Sequence, residues 1–323
     1  MKRNDAKEVF DIPVFNKFFP FLMKRRCDAL VYQTITFDMT NAVEFVRRYN
    51  KEHPDEGRLK VFSLYVAAMM RLMALRPELN RFIAGSRYWQ RNELSVNFII
   101  KESFDDHAPE RSDPLVIPHD ATLPEVAKLI NDKIDEARSE DGDTTADEAI
   151  GLFMKFPKWV IKAIVGIAGF LDHHGKAPAI LREADGMHTS LYISNLGSIG
   201  LMAGPTFHHL YEWGTTSMFQ TMGSVNRRVV FDEDGKVTKK YDMTVGVTLD
   251  ERICDGFYFV KSFMILQDLI NHPEKLMERP ELPPPLMTKK EYQAKMKAEK
   301  KARKLAAKAK ANEAPAAPGP QTD

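Results

Sequence analysis

Three short segments bring together side chains that can move protons. Phe207-His208-His209-Leu210-Tyr211-Glu212-Trp213-Gly214 sets two adjacent imidazoles beside a carboxylate. Either His208 or His209 can serve as a general base, with Glu212 or Glu251 orienting the ring. Thr248-Leu249-Asp250-Glu251-Arg252-Ile253-Cys254-Asp255-Gly256-Phe257 carries four charged groups in six positions. Glu251 can act as a base only where burial or a neighbouring carboxylate lifts its pKa toward neutrality. On a strand, Asp250 and Arg252 share one face and Glu251 takes the other, so neither neighbour decides the matter. Ile193-Ser194-Asn195-Leu196-Gly197 places a hydroxyl and an amide at a strand end, which also reads as polar residues closing a turn at Gly197. The His-rich segment has its own structural alternative, a loop at a subunit contact. His173-His174 and His208-His209 lack the spacing of a zinc site and have no cysteine ligands near them, so no metal is expected.

The elements that hold these segments follow from periodicity. Short β-branched and aromatic runs predict strands at Leu30–Phe37, Leu94–Ile100, Ser190–Asn195, Met218–Met222, Arg227–Phe231 and Met243–Leu249. Asp232-Glu233-Asp234-Gly235-Lys236 reads as a hairpin loop, with Gly235 free to take positive φ. Helical spacing appears at Ala42–Tyr49, Ser63–Arg76, Leu123–Ser139 and Gly256–Asn271. Strands and helices do not alternate strictly. That order implies a mixed sheet covered by helices, an α/β fold other than the doubly wound dinucleotide type. No Gly-x-x-x-x-Gly-Lys phosphate loop occurs, which argues against a nucleotide hydrolase.

With 323 residues, 44% of them hydrophobic, the chain can bury a full core. Cys27 and Cys254 are the two cysteines, and no secretory signal pattern opens the chain, so a reducing cytoplasmic setting is expected. The longest apolar stretch, Ile150 to Leu171, is broken by Lys155, Pro157, Lys158 and Lys162, which excludes an uninterrupted membrane span. Phe153, Phe156, Trp159, Val160, Ile164 and Ile167 can share a face there. Packing against the domain or a subunit is the default for such a face, and a membrane surface is the alternative.

The formal net charge is +1, yet its distribution is uneven: between Lys289 and Lys310 ten basic residues oppose Glu291 and Glu299. Pro280–Pro285 sets this tail apart, and its alanine-lysine composition favours a solvated helix fraying into 312–323. Anionic lipid or an acidic partner is the alternative to a solvated extension, and nucleic acid is not expected.

Several of these segments also resemble, in order, the catalytic domain of the 2-oxoacid dehydrogenase acyltransferases (dihydrolipoyl acyltransferases) and chloramphenicol acetyltransferase. Asp38-Met39-Thr40-Asn41 is similar to the family's entry to its first helix, and Arg76-Pro77-Glu78-Leu79-Asn80 to its Pro-Glu-Leu-Asn helix terminus. Leu94-Ser95-Val96-Asn97-Phe98, Pro114-Leu115-Val116-Ile117-Pro118, the helix Leu123 to Arg138, and Ser194-Asn195-Leu196-Gly197 continue it. Thr248–Phe257 is similar to the strand end that in the family reads His-x-x-x-Asp-Gly. Asp255 and Gly256 match; Glu251 stands where the family has its general base. The matches run from about residue 20 to about residue 275, and residues 147–182 form an insertion without a counterpart.

The resemblance implies a chloramphenicol acetyltransferase-like two-layer sandwich that is trimeric, with its active site between subunits. Acyl transfer from a coenzyme A thioester to an acceptor needs a base and an oxyanion donor. The resemblance puts Ser194 at the donor position, with Asn195 beside it, and the segment 207–214 along the substrate channel. It makes Asp255 an architectural residue paired with an arginine, for which Arg25 and Arg26 are the candidates. Residues 1–280 are then the acyltransferase-like domain and 281–323 a linker and tail, with no lipoyl-lysine arm in this chain. The replacement at Glu251 leaves two expectations: an acyltransferase with an altered base, or a silent trimeric homologue acting as a binding or scaffold protein.

Overall fold

The computed structural model describes residues 3–101, 110–112, 114–139, 154–178, 185–201, 206–231 and 233–313. Its strands are β1 (Ala6–Glu8), β2 (Leu30–Asp38), β3 (Arg81–Ala84), β4 (Arg87–Arg91), β5 (Leu94–Phe98), β6 (Ile100–Lys101), β7 (Glu110–Arg111), β8 (Leu115–Ile117), β9 (Leu191–Asn195), β10 (Met218–Phe231) and β11 (Val237–Asp250). Its helices are α1 (Phe19–Leu22), α2 (Thr40–Glu52), α3 (Val61–Leu75), α4 (Leu123–Ser139), α5 (Lys158–His173), α6 (Gly256–Asn271) and α7 (Lys289–Glu313).

Six strands form a mixed sheet in the order β2-β11-β10-β9-β5-β8. β9 runs parallel to both β10 and β5, whereas β10-β11, β11-β2 and β5-β8 are antiparallel. A smaller antiparallel sheet, β1-β4-β3, caps one end, and β6 pairs with β7. One face of the main sheet is covered. Val96, Ile193, Met218, Val245, Val247 and Leu249 alternate onto that face and share a single buried cluster with α2, α3, α4 and α6. α3 is buried on all sides from Ser63 to Ala74, because it is enclosed by sheet and helices rather than bordered by water. A polar residue of the sheet in this layer is Gln220, which accepts from Tyr65 Oη at 3.0 Å.

Most boundaries match the periodicity, with two main differences. The two runs expected at Met218–Met222 and Arg227–Phe231 are one strand, whose register shifts between Met222 and Val225. Such an irregularity bends a strand without ending it, so it reads in sequence as a gap. Gly235 does hold positive φ, at 76°, in the following turn. The sheet β1-β4-β3 was not expected, since its strands are only three to five residues long. The insertion contains α5, while 147–153, with the expected apolar Phe153, and 179–182 lie outside the described residues.

Candidate active site

The second face of the main sheet carries Tyr192 and Ser194 from β9, Phe219 and Thr221 from β10, and Thr248 and Asp250 from β11, as strand alternation requires. Residues 206–216 lie across it. Thr221 Oγ1 donates a short hydrogen bond to the Thr206 carbonyl. Gly246 admits this approach, since a Cβ there would stand 2.0 Å from the Thr206 oxygen. Phe207 then meets Tyr32 edge-on at 5.5 Å between ring centroids. The His208 ring stacks on Phe219 at 4.2 Å, and Phe219 on Tyr192 at 4.6 Å. Leu210 is buried against the same pair of aromatic rings.

His208 is half-buried, and its Nδ1 lies 2.8 Å from the His209 carbonyl oxygen. A carbonyl only accepts, so Nδ1 carries the proton in the neutral ring and Nε2 keeps its lone pair. His209 stacks on His208 but is exposed.

Ser194 is aligned with Thr221 across the parallel pair, two residues along β9 from Tyr192 and on the same face. Its hydroxyl is half-buried and makes no hydrogen bond among the described residues. Asn195 has a local role: its Oδ1 accepts from Ser198 N at 3.3 Å and caps the single turn Leu196–Ile199. Gly197 is required at that turn, where a Cβ would lie 2.4 Å from the Gly223 carbonyl oxygen.

Glu251 lies in the turn after β11, at the other end of the sheet. Thr221 faces Gly246 in the β10-β11 register, so Glu251 is roughly 17 Å further along the strand direction than the Ser194 row. Its side chain is exposed and makes no hydrogen bond or ion pair among the described residues. Ser194 and Glu251 of one protomer therefore do not form one site. Ser194 and His208 lie over the same face of the sheet, His208 on Phe219 and Ser194 beside Thr221.

The arginine-carboxylate pair expected at Asp255 forms at Asp250 instead. Arg252 Nε and Nη2 reach the two Asp250 oxygens at 2.8 and 2.7 Å, and both residues are buried. Arg26 Nε lies 4.0 Å from Asp250, while its Nη2 donates to the Gly214 carbonyl at 2.9 Å. Arg25 pairs at the surface with Asp28. Asp255 is exposed and caps α6, accepting from Tyr258 N at 2.7 Å. The physical reason is position: the last strand residue points inward toward the arginines, while Asp255 precedes the free N–H groups of a helix start.

A second cluster escaped the sequence reading altogether. His188, in the turn before β9, lies between Asp185, 3.1 Å from Nδ1, and Asp172 of α5, 3.1 Å from Nε2. Burial pushes the His188 pKa down, but the two carboxylates outweigh it and the net shift is upward. Trp213 Nε1 donates to Asp185, and Arg3 reaches Asp172. Arg91 donates to the carbonyls of His188 and Thr215. Beside this cluster a cavity of about 400 Å³ is bordered by Arg26, Asp172, His173 and Trp213. Asp185 and His188 are three residues apart in one turn, and the packing of α5 brings Asp172 to them. His173 and His174 do not join them in a metal-binding group, and no group of three such ligands occurs among the described residues.

Residues 175–278 match the model of the 2-oxoacid dehydrogenase acyltransferase catalytic domain. A probable dihydrolipoamide acetyltransferase from Listeria monocytogenes 4b F2365 superposes with a TM-score of 0.51 at 14% identity, over 87% of this chain and 99% of that one. The cubic core of a pyruvate dehydrogenase multienzyme complex gives 0.53 at 14% identity, over 83% and 94%. A chloramphenicol acetyltransferase gives 0.52 at 14% identity, over 82% and 99%. At that identity the superpositions establish the fold, which is chloramphenicol acetyltransferase-like. The resemblance to the acyltransferase catalytic domains is thus borne out, by the fold and by the family match over residues 175–278. No curated protein is matched by sequence. No helix among the described residues is long and apolar enough to cross a membrane.

Proposed function

We propose that the protein transfers an acyl group from a coenzyme A thioester to a thiol, hydroxyl or amine, at the sheet face over which both Ser194 and His208 lie. The observation that carries this reading is the His208 Nδ1 contact to the His209 carbonyl, which leaves an unprotonated Nε2 on the sheet face that also bears Ser194. His208 Nε2 takes the proton of the acceptor as its heteroatom attacks the thioester carbon. The Ser194 hydroxyl donates to the oxygen that becomes an oxyanion. Collapse of the tetrahedral intermediate breaks the carbon–sulfur bond, and the departing coenzyme A thiolate regains the proton from the imidazolium. Glu251 is too far from Ser194 in its own protomer to take part. In a homotrimer with sites between subunits, the role this reading gives to Glu251 of the partner subunit is to orient the imidazole.

This reading treats residues 1–280 as the catalytic domain and 281–323 as linker and tail. The two cysteines are free thiols, which suits the cytoplasm. No metal or chain-borne lipoyl group enters the reaction as written. A silent trimeric binding or scaffold protein is the second reading, favoured by the exposed Glu251 at the position of the family's base.

Purified protein mixed with short- and long-chain acyl-CoAs and with dihydrolipoamide, amines or alcohols separates the two. Release of free coenzyme A that falls about 10²–10³-fold in Ser194→Ala supports transfer. Saturable acyl-CoA binding without release from any pair supports the silent trimer.

A further inference from the structure

Helix α5 is attached to the molecule by its narrow edge. At roughly 3.6 residues per turn, Gly169, Asp172 and His173 fall on one side with Lys158 and Lys162, and the wider opposite arc is apolar. The narrow side docks: Asp172 is buried, and Gly169 lies under the Trp213 ring, 3.8 Å from where a Cβ would stand. The apolar arc faces away. Trp159 is 74% exposed, Ile167 60% and Phe170 63%, the reverse of the usual orientation of an amphipathic helix.

A second apolar segment adjoins it. Phe15, Phe18, Phe21 and Leu22 are all at least 60% exposed, and Pro20 and Lys24 border the same cavity as Gly169 and His173. Both segments carry charge of one sign. Residues 154–171 contain Lys155, Lys158 and Lys162, and residues 12–24 contain Lys17 and Lys24; neither contains an acidic residue. The basic helix α7 starts from the same N-terminal segment: Lys17 Nζ donates to Tyr292 Oη at 3.2 Å, and Lys295 pairs with Asp11 at 2.8 Å.

From this juxtaposition of exposed aromatic residues and single-sign charge we infer that α5 and residues 15–22 dock on an anionic lipid surface. α5 lies in the plane of the interface, its apolar arc enters the acyl boundary, and Lys158 and Lys162, exposed at its N-terminal half on the opposite side, reach up to the headgroups. The basic face of α7 adds to the attraction. A second copy of the chain meeting this face through its own copy of it is the poorer occupant, because the lysines of two such faces would oppose each other.

Co-sedimentation of the full chain with phosphatidylcholine vesicles, with and without phosphatidylglycerol, tests this. Binding is expected only with phosphatidylglycerol and weakens as salt rises. A blue shift of Trp159 emission accompanies it and is missing in Trp159→Phe. Reversal of Lys155, Lys158 and Lys162 to Glu weakens binding about tenfold or more, and Ile167→Asp with Phe170→Asp removes it, both at an unchanged melting temperature. The inference is overturned if the native chain ignores phosphatidylglycerol vesicles at low salt, or if the Ile167→Asp/Phe170→Asp variant, shown to be folded, binds as the native chain does. It is also overturned if that variant breaks an oligomer in light scattering and the native oligomer binds no vesicles, which would give the face to a second copy.

Discussion

His188 Nε2 stands 3.1 Å from Asp172 Oδ1, which ties helix α5 to the turn that enters β9. The approach is an ion pair set off the hydrogen-bonding direction; the hydrogen bond on this ring is that between Nδ1 and Asp185. The folded pKa of His188 is raised above 6.5, so its contribution to stability is complete below that pH and is lost as pH rises through the folded value. Burial raises the pKa of Asp172 and Asp185, but His188, joined by Arg3 at Asp172 and by the Met187 amide and Trp213 at Asp185, outweighs it and both end below 3.8. Their contribution is present above 3.8 and is lost as pH falls through the folded values. The melting temperature should therefore be level between these limits and fall above pH 6.5. His188→Gln should abolish the decline on the alkaline side and lower stability by about 3 kcal/mol. An unchanged alkaline slope in the variant would show that another group sets it.

Asp250 neutralises two buried arginines at once, Arg252 through two hydrogen bonds and Arg26 at 4.0 Å. Asp250→Asn leaves both cations in a low-dielectric setting and should cost about 3–5 kcal/mol in denaturant unfolding. Asp255→Asn keeps a competent helix cap and should cost under about 1 kcal/mol. Equal losses from the two would mean that the buried pair is not the main anchor of this turn.

Gly246→Ala places a methyl group 2.0 Å from the Thr206 oxygen and 2.8 Å from Thr221 Oγ1. Segment 206–210 must then lift, at a cost of about 1–3 kcal/mol. The clearest readout is the His208 imidazole proton resonance, which Phe219 shifts by its ring current in the native protein. Loss of that shift with the rest of the spectrum preserved is the expected result.

The sheet and its helical cover were legible because their signals are periodic. Gly256–Asn271 was read to the residue, since Asp255 caps its start and His272-Pro273 follows its end. Ser194, Asn195 and the 207–214 segment were also legible as chemical groups, although sequence alone left open which of them share a face. The strand registers decide this: Tyr192 faces Phe219, which brings Ser194 toward His208 and leaves Glu251 remote. The arginine partner was assigned to Asp255 because motif matching ranks spacing above direction, and Asp250 is the residue that points inward. The Asp172–His188–Asp185 cluster had no sequence signal, because it depends on a helix in the insertion that docks by one glycine and one aspartate.

The most direct measurement compares coenzyme A release by His208→Ala and Glu251→Ala with that of the native protein, using the best acyl-CoA and acceptor pair. A base at His208 predicts a loss of about 10²–10⁴-fold in His208→Ala and a smaller loss in Glu251→Ala, since removing a carboxylate that orients a base costs less than removing the base itself. The reverse order, or no release by the native protein with any pair, would contradict it.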